Sequence, residues 1–504
     1  MRIALLQCEL EHRHQAPHLA GALFAADLRA AGHDVWCALV HPTALTEAAA
    51  RIGNADLVLL DSIFPFAMVR QLKAATAGIL VMGGHNALQH VLRGPAELAL
   101  VGAARRTLPR LAEAIARGAD LAEVPGLWFR HDGLVQCGPP APAQGLTSEL
   151  FPFAPDLDWD YLGPPRAPGS NLRIPSVVAE LGCVWNRTAR RSDGPFAETA
   201  ARLPDVPLSP EAGARLQGEF IDQEGGCTFC TFRYLRAAPG SVATIVDAVV
   251  QQARVLVQAG ARGLSVQSEH PLPWLARLLD ALAEAGLAAR LDVVHVRTIP
   301  WLLVRHEGEL RAALTRARAH GIQVVLAQIG FEAFDGRTLA LYNKGLDAAT
   351  NRSAARLLGQ LHAELAPTFV GTGGHGLVPL HPWSTPEDVR ANVAACRADA
   401  PWLLPSLTPQ AQIELYNEWT PLFWKAADDG LLDPDPDGFG WRWRFADDRM
   451  GELVAAAAAI GGDADALDEA ARLILEVADP QARRRAYLER RDAVRQRRGR
   501  SAAD

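Results

Sequence analysis

The sequence predicts an α/β protein: an N-terminal doubly wound parallel sheet, then a partial (β/α)6 TIM-like barrel, then a helical C-terminal region. Three observations carry this expectation. The chain has 504 residues, more than one domain usually holds. Short, nearly continuous apolar runs alternate with helically periodic segments through residues 1–138, the pattern of parallel strands covered on both faces. The alternation resumes in longer units from residue 174, as it does in barrels built of strand–helix units.

In the first unit, strands are predicted at 2–7, 34–40, 56–61, 78–82 and 98–101, with helices near 18–31, 46–52, 66–75, 86–92 and 107–117. A hairpin follows, turning at Asp132-Gly133. A doubly wound sheet binds ligands at the carboxyl ends of its strands. Residues 139–173, rich in Pro, Gly and Ala, read as a linker. Residues 174–410 carry predicted strands at 176–180, 263–267, 292–296, 323–329 and 368–371, with a weaker sixth at 403–407. Helices are expected at 242–259, 274–286, 309–320, 351–364 and 386–398, the last opening on Thr385 as N-cap and Pro386 at N1. Residues 411–504 read as helical, with aromatic clusters and an Arg-rich end at 483–500.

Composition narrows the functional classes. At 49% hydrophobic and 21% charged residues, the chain is neither disordered nor fibrous. A net charge of −7 argues against a general nucleic-acid binder. No apolar run reaches the ~18–20 residues that span a bilayer, and the opening MRIALLQCELEH lacks the form of a secretory signal. The expectation is a cytoplasmic protein with no membrane partner. Seven cysteines over this length do not form a disulfide framework, so a clustered pair points to a metal.

That pair is Cys227-Thr-Phe-Cys230, and Cys183 follows the first predicted barrel strand. A tight turn aims two thiolates of a C-x2-C pair at one metal. Structural zinc wants four ligands, and no fourth stands at a matching spacing; three thiolates suit a four-iron cluster with one iron left open. Zinc and an accidental pair stay open on spacing alone. Gly83-Gly84 reads either as a strand-to-helix turn needing positive φ or as a ligand contact. His12, His14 and His18 read as surface histidines, and His270 and His295 as polar groups near the barrel mouth without an assigned role. Cys8, Cys37 and Cys396 read as buried thiols and Cys137 as incidental. Tyr416, Trp419 and Trp424 read as packing, and Glu489 and Asp492 within the Arg-rich tail as parts of a solvated helix.

Glu180-Leu-Gly-Cys183-Val-Trp-Asn and Gly226-Cys227-Thr-Phe-Cys230 resemble the two halves of the C-x3-C-x2-C signature of the radical S-adenosylmethionine (SAM) superfamily, pulled apart. Here 43 residues separate Cys183 from Cys227, and Arg187 stands where the second cysteine would fall. An insertion at 187–224 is tolerable because closure entropy grows only logarithmically with loop length. Val266-Gln-Ser-Glu269 is similar to the superfamily's GGE stretch, with only the Glu kept. Gly330-Phe-Glu332, Leu339 and Tyr342-Asn-Lys-Gly345 are similar to the "G-x-E … L … nKG" stretch of cobalamin-associated members, and His381-Pro-Trp-Ser-Thr385-Pro-Glu-Asp388 to their "P-x-T-x-E-D" stretch. Val81-Met-Gly83-Gly84-His-Asn86, Val101-Gly102 and Val124-Pro-Gly-Leu127 resemble a vitamin B12-binding domain fused upstream. Gly102-Ala-Ala-Arg105 departs from that family's G-E-G-E, and the D-x-H-x-x-G motif is absent.

The resemblance implies a 4Fe-4S cluster on Cys183, Cys227 and Cys230, SAM near Glu269, Arg297, Gly330 and Glu332, and cobalamin near Gly83 and Gly84. The implied activity is reductive cleavage of SAM to a 5′-deoxyadenosyl radical and methylation of an unactivated carbon. An external one-electron reductant of flavodoxin or ferredoxin type is the implied partner, with a small-molecule or peptide substrate that the sequence does not identify. Two alternatives stand beside it: a non-methylating rearrangement or cyclisation, and a non-catalytic relative whose cysteines bind zinc or no metal.

Overall fold

A computed structural model describes residues 1–8, 19–61, 63–84, 86–102, 104–141, 174–179, 185, 194–222, 225–230, 241–258, 260–373 and 375–501. The first sheet has seven strands: β1 (Arg2–Cys8), β2 (Asp34–Val40), β3 (Leu57–Asp61), β4 (Ile79–Gly83), β5 (Leu98–Leu100), β6 (Leu127–His131) and β7 (Leu134–Cys137). Their order is β2-β1-β3-β4-β5-β6-β7, and the first five run parallel. β6 and β7 add an antiparallel edge through the expected hairpin, whose Asp132 and Gly133 both take positive φ. All of β1 after Arg2 is buried, because helices cover both of its faces. The strand order reverses between β1 and β3, where doubly wound sheets open a ligand crevice.

The second sheet is parallel, in the order β12-β11-β10-β9-β8: β8 (Ser176–Val178), β9 (Gly263–Gln267), β10 (Val293–Thr298), β11 (Gln323–Glu332) and β12 (Phe369–Val370). A short β13 (Gly376–Leu377) extends along the far end of β11. Val266, Val294, Val296 and Leu326 are buried in one core with Leu256, Leu278 and Leu314 of helices Val242–Gln258, Leu272–Glu284 and Glu307–His320. The alternate residues of β9 and β10, Ser265, Gln267, His295 and Arg297, are only partly buried. That alternation gives the sheet an apolar face against helices and a polar face toward the barrel interior.

Two expectations are corrected. Residues 403–407 are not a sixth strand: they lie in and beside a 3₁₀ helix, Pro401–Ser406, where Pro405 has no N–H to give a ladder. The C-terminal region is not wholly helical, since β14 (Leu432–Asp435) and β15 (Gly440–Trp443) pair as a hairpin. Trp441 and Trp443 alternate with charged Arg442 there, a period-two signal for a strand. Helices Asp448–Ile460, Ala464–Glu476 and Pro480–Ser501 complete the chain as expected.

The described part of the stretch between Cys183 and Cys227 is a folded piece. Ser209 caps the helix Pro210–Leu216, with Pro210 at N1, and a π turn Gln217–Ile221 follows. Ala212, Leu216, Phe220 and Ile221 are buried in the same core as Trp128 and Val135 of the first sheet. Val135 donates to the Pro207 carbonyl and accepts from the Ser209 N–H, both at 2.9 Å. Arg215 lies 5.2 Å over the Trp128 ring. These residues brace the hairpin edge of the first sheet.

Candidate functional site

The cysteine turn is held from several sides. Cys227 and Cys230 are partly buried, and the Cys230 N–H donates to the Cys227 carbonyl at 3.2 Å, closing the tight turn the spacing predicts. Thr228, fully buried between them, donates its hydroxyl to the Leu341 carbonyl (2.8 Å) and its N–H to the Tyr342 carbonyl (3.1 Å). The Phe229 ring meets Tyr342 edge-on at 5.0 Å. Asn343 donates its side-chain amide to the Gly226 carbonyl at 2.9 Å. The turn at 341–345, which follows helix Gly336–Leu341, is therefore the cysteine turn's seat.

The same turn carries a buried ion pair. Lys344 Nζ lies 2.7 Å from Glu332 Oε1, with side chains 9% and 13% exposed. Burial opposes charge on Lys344, but Glu332 and then the nearby Cys227 and Cys230 outweigh it and hold the ammonium protonated, its pKa raised above the ordinary lysine value. Glu332 ends β11 with φ +60, a conformation that non-glycine residues adopt only when their surroundings impose it. Gly330 makes room for the pair: a Cβ there would meet Lys344 Nζ at 2.9 Å and crowd the Glu332 carboxylate. Gly330 and Glu332 are thus brought together, with Lys344 as a third member to which the sequence alone attached no role.

Glu269 and Arg297 also meet, after β9 and near the end of β10, with 3.6 Å between Oε1 and NH1 and about a third of each side chain exposed. The register between β10 and β11 shifts at Val296/Arg297, setting Arg297 beside Gln328. The Gln267 amide donates to the hydroxyls of Ser176 (3.0 Å) and Ser265 (3.2 Å) across the same face. His295 stands on that face two residues before Arg297, and burial lowers its pKa to about 4. His270 packs on His306 with ring centroids 5.1 Å apart; burial, then the charges of His306 and Arg305, lower its pKa.

At the first sheet, Gly83 and Gly84 follow one another out of β4. A Cβ on Gly83 would meet nothing nearer than the Leu60 carbonyl at 3.9 Å, and Gly84 has φ +108. The strand-to-helix turn accounts for Gly84, and a Cβ on Gly83 would make only ordinary contact with the Leu60 carbonyl. Asp61 ends β3 beside the switch point, accepting from the N–H groups of Cys8 and Ile63 at 3.1 Å each. Burial pushes its carboxyl up to about 7, against the pull of those two hydrogen bonds. Only a carboxylate ending an apolar strand could have signalled it in the sequence. Arg105, in the departing Gly102-Ala-Ala-Arg105 stretch, forms a two-pronged pair with Asp27 at 2.6 and 3.1 Å.

The carboxyl end of β4 and the cysteine turn share a neighbour. Asn86 donates to the Tyr416 hydroxyl at 2.8 Å, and Gln89 and Arg93 reach the buried Glu418, Arg93 with two contacts at 2.6 and 2.8 Å. Leu422 then donates its N–H to the Thr228 carbonyl at 3.1 Å. Leu422 is six positions beyond Tyr416, a reach of at most about 20 Å. Trp419 and Trp424 are fully buried, in keeping with their expected packing role. Cys8 and Cys396 are buried thiols as expected, and burial pushes Cys396 up to about 12.

Cys183, Glu180 and His12, His14 and His18 lie outside the described residues, as does most of the expected linker. Among the described residues no three His, Cys, Asp or Glu side chains are grouped to hold a metal ion, and no helix is long and apolar enough to cross a membrane. A mostly parallel seven-stranded sheet and a second, parallel sheet define the class of fold.

No family model matches the chain, and no curated protein matches it. Solved structures do. The cobalamin-dependent S-adenosylmethionine radical enzyme OxsB, in its apo selenomethionine-labelled form, is similar over 98% of this chain and 71% of its own, with a TM-score of 0.57 and 12% identity. Its aqua-cobalamin form gives the same coverage, a TM-score of 0.56 and 13% identity. The radical SAM methyltransferase TsrM from Kitasatospora setae, with cobalamin and a 4Fe-4S cluster bound, is similar over 85% of this chain and 75% of its own, with a TM-score of 0.48 and 17% identity. The chain has the fold of the cobalamin-dependent radical SAM enzymes.

Proposed function

We propose that this chain is a cobalamin-dependent radical SAM enzyme that methylates an unactivated carbon. The observation that carries the reading is the cysteine turn seated on the turn at 341–345, whose Lys344 ammonium is buried beside it against Glu332 at the end of β11. Thiolates gathered round an inorganic cluster bring negative charge into a low-dielectric site, where a fixed cation stabilises it. The donor set fits: two thiols close a tight turn, and Cys183 would supply the third. Gly83 stands at the carboxyl end of a doubly wound sheet, where such sheets bind their ligands, and a cobalamin would sit there.

When bound, the cluster and SAM would supply a 5′-deoxyadenosyl radical, and cobalamin the methyl carrier. The residues here would orient and exclude water. Glu269 would accept from the SAM amino group and Arg297 would bind its carboxylate, exchanging their mutual contact for the zwitterion. Gly330 would leave space at the ribose, and Glu332, anchored by Lys344, would border it. Ser265, Gln267 and His295 would offer neutral hydrogen-bonding groups to a small-molecule or peptide substrate. An external one-electron reductant, of flavodoxin or ferredoxin type, completes the system.

Anaerobic incubation with SAM labelled in its methyl group, a one-electron reductant and candidate substrates tests this. The reading expects bound corrinoid, 5′-deoxyadenosine and label in the product. Deoxyadenosine with no label in any product favours a rearrangement or cyclisation, and neither corrinoid nor deoxyadenosine overturns the proposal.

A further inference from the structure

Of the 43 residues between Cys183 and Cys227, the part from Ala201 to Ile221 packs against the first sheet and so does not bring those cysteines together. Another element must. The turn at 341–345 bonds to both sides of the gap. On one side it receives Thr228 and donates from Asn343 to Gly226, the residue before Cys227. On the other, the Asn343 carbonyl accepts the indole N–H of Trp185 at 2.7 Å. Gly345, at φ +71, lies directly under the Trp185 ring, where any Cβ would collide. Phe196, within the intervening stretch, is buried with Leu341 and Tyr342 at the same place.

A simpler reading is a helix end that happens to need a left-handed residue, since Asn343 has φ +47 and Asn tolerates that region. The partners argue against it. A helix cap bonds within its own last turn, whereas these contacts reach residues 113, 117 and 158 positions away. Trp185 is two residues past Cys183, and two residues span at most about 7 Å.

We propose that the turn at 341–345 is a clamp that seats the two separated halves of the cysteine set against each other, with Asn343 as its positioning residue and Trp185 as the hook it catches. The inference rests on reading Cys183, Cys227 and Cys230 as one ligand set. In this role Asn343 fixes the backbone on either side.

The test uses the full chain, purified without metal and reduced. A short bifunctional thiol reagent is applied and the Cys183–Cys227 and Cys183–Cys230 cross-links are counted by peptide mass spectrometry, with iron content measured after anaerobic reconstitution. Asn343→Gly keeps the positive φ and loses the side-chain donor; Trp185→Phe keeps the ring and loses the N–H. Trp443→Phe, which loses an equivalent bond to the Ile413 carbonyl, is the control. Cross-linking and iron content should both fall in the two clamp variants, each roughly fivefold, as expected for one lost hydrogen bond, and stay at wild-type level in the control. Wild-type yields in both clamp variants overturn the clamp, as does a wild-type chain that forms no such cross-link. Should Asn343→Gly not fold, Trp185→Phe decides. A clamp-dependent cross-link in a chain that takes up no iron supports the clamp and removes the cluster; full iron in both variants does the reverse.

Discussion

Replacing Lys344 with methionine removes one partner of the most enclosed ion pair near the cysteine turn. The methionine fills a similar space, so the loss is electrostatic. Glu332 would keep its place at φ +60 beside Gly330, its carboxylate 13% exposed and without its ammonium at 2.7 Å. Stranding one member of a buried pair costs about 3–5 kcal/mol; the residual exposure of Glu332 favours the lower end. For a cooperative unit of 150–250 residues each kcal/mol moves Tm by about 2–4 °C, so a fall of roughly 10 °C is expected. Calorimetry at pH 5 and pH 8 measures it. In the wild type the folded pKa of Lys344 is raised above its unfolded value, so its contribution is complete throughout that range. The deficit should therefore be present at both pH values. Adding Glu332→Gln should recover part of the loss. A variant as stable as the wild type at either pH refutes the pair's assigned role.

Further outcomes follow from the same geometry. Gly330→Ala should lower Tm by several degrees in calorimetry, since its Cβ presses on both Lys344 and Glu332, and it should still do so in the Lys344→Met background, where Glu332 keeps its place. Asp61, whose carboxyl is held up near 7 by burial, binds a proton more readily folded than unfolded. Its contribution is therefore greatest in acid and declines as pH rises from about 4 to 7, so Asp61→Asn should gain stability relative to wild type across that span, and a pH-independent difference in Tm contradicts this. Arg93→Ala leaves Glu418 buried with, among the described residues, the Gln89 amide and the Trp441 indole to meet its carboxylate; a loss of about 3 kcal/mol should appear as faster proteolysis at the β14–β15 hairpin.

Much of this architecture was legible in the sequence. The strand at 34–40 and the helix at 66–75 match Asp34–Val40 and Phe66–Ala75, because a short run of apolar, strand-favouring residues and an amphipathic helical stretch each leave a clear signal. Thr385, Pro386 and Asp388 form the expected cap, completed as a capping box. What escaped depends on contacts between distant segments. Lys344 and Asn343 were visible only as part of a short motif, and their partners Glu332, Gly226 and Trp185 stand well away in sequence. The hairpin at 432–443 was read as helix because two tryptophans flanking an arginine are too short a run to separate the two periods. Residues 403–407 looked like a strand by apolarity alone, and a proline decided otherwise.

The central claim is that three thiols distant in the chain grip one cluster. Iron, acid-labile sulfide and zinc, measured after anaerobic reconstitution of the wild type and of Cys183→Ser, Cys227→Ser, Cys230→Ser and Cys396→Ser, test it most directly. About four irons and four sulfides per chain are expected in the wild type and in Cys396→Ser, with most of both lost in each of the other three. Full iron in Cys183→Ser, or zinc in place of iron throughout, contradicts it.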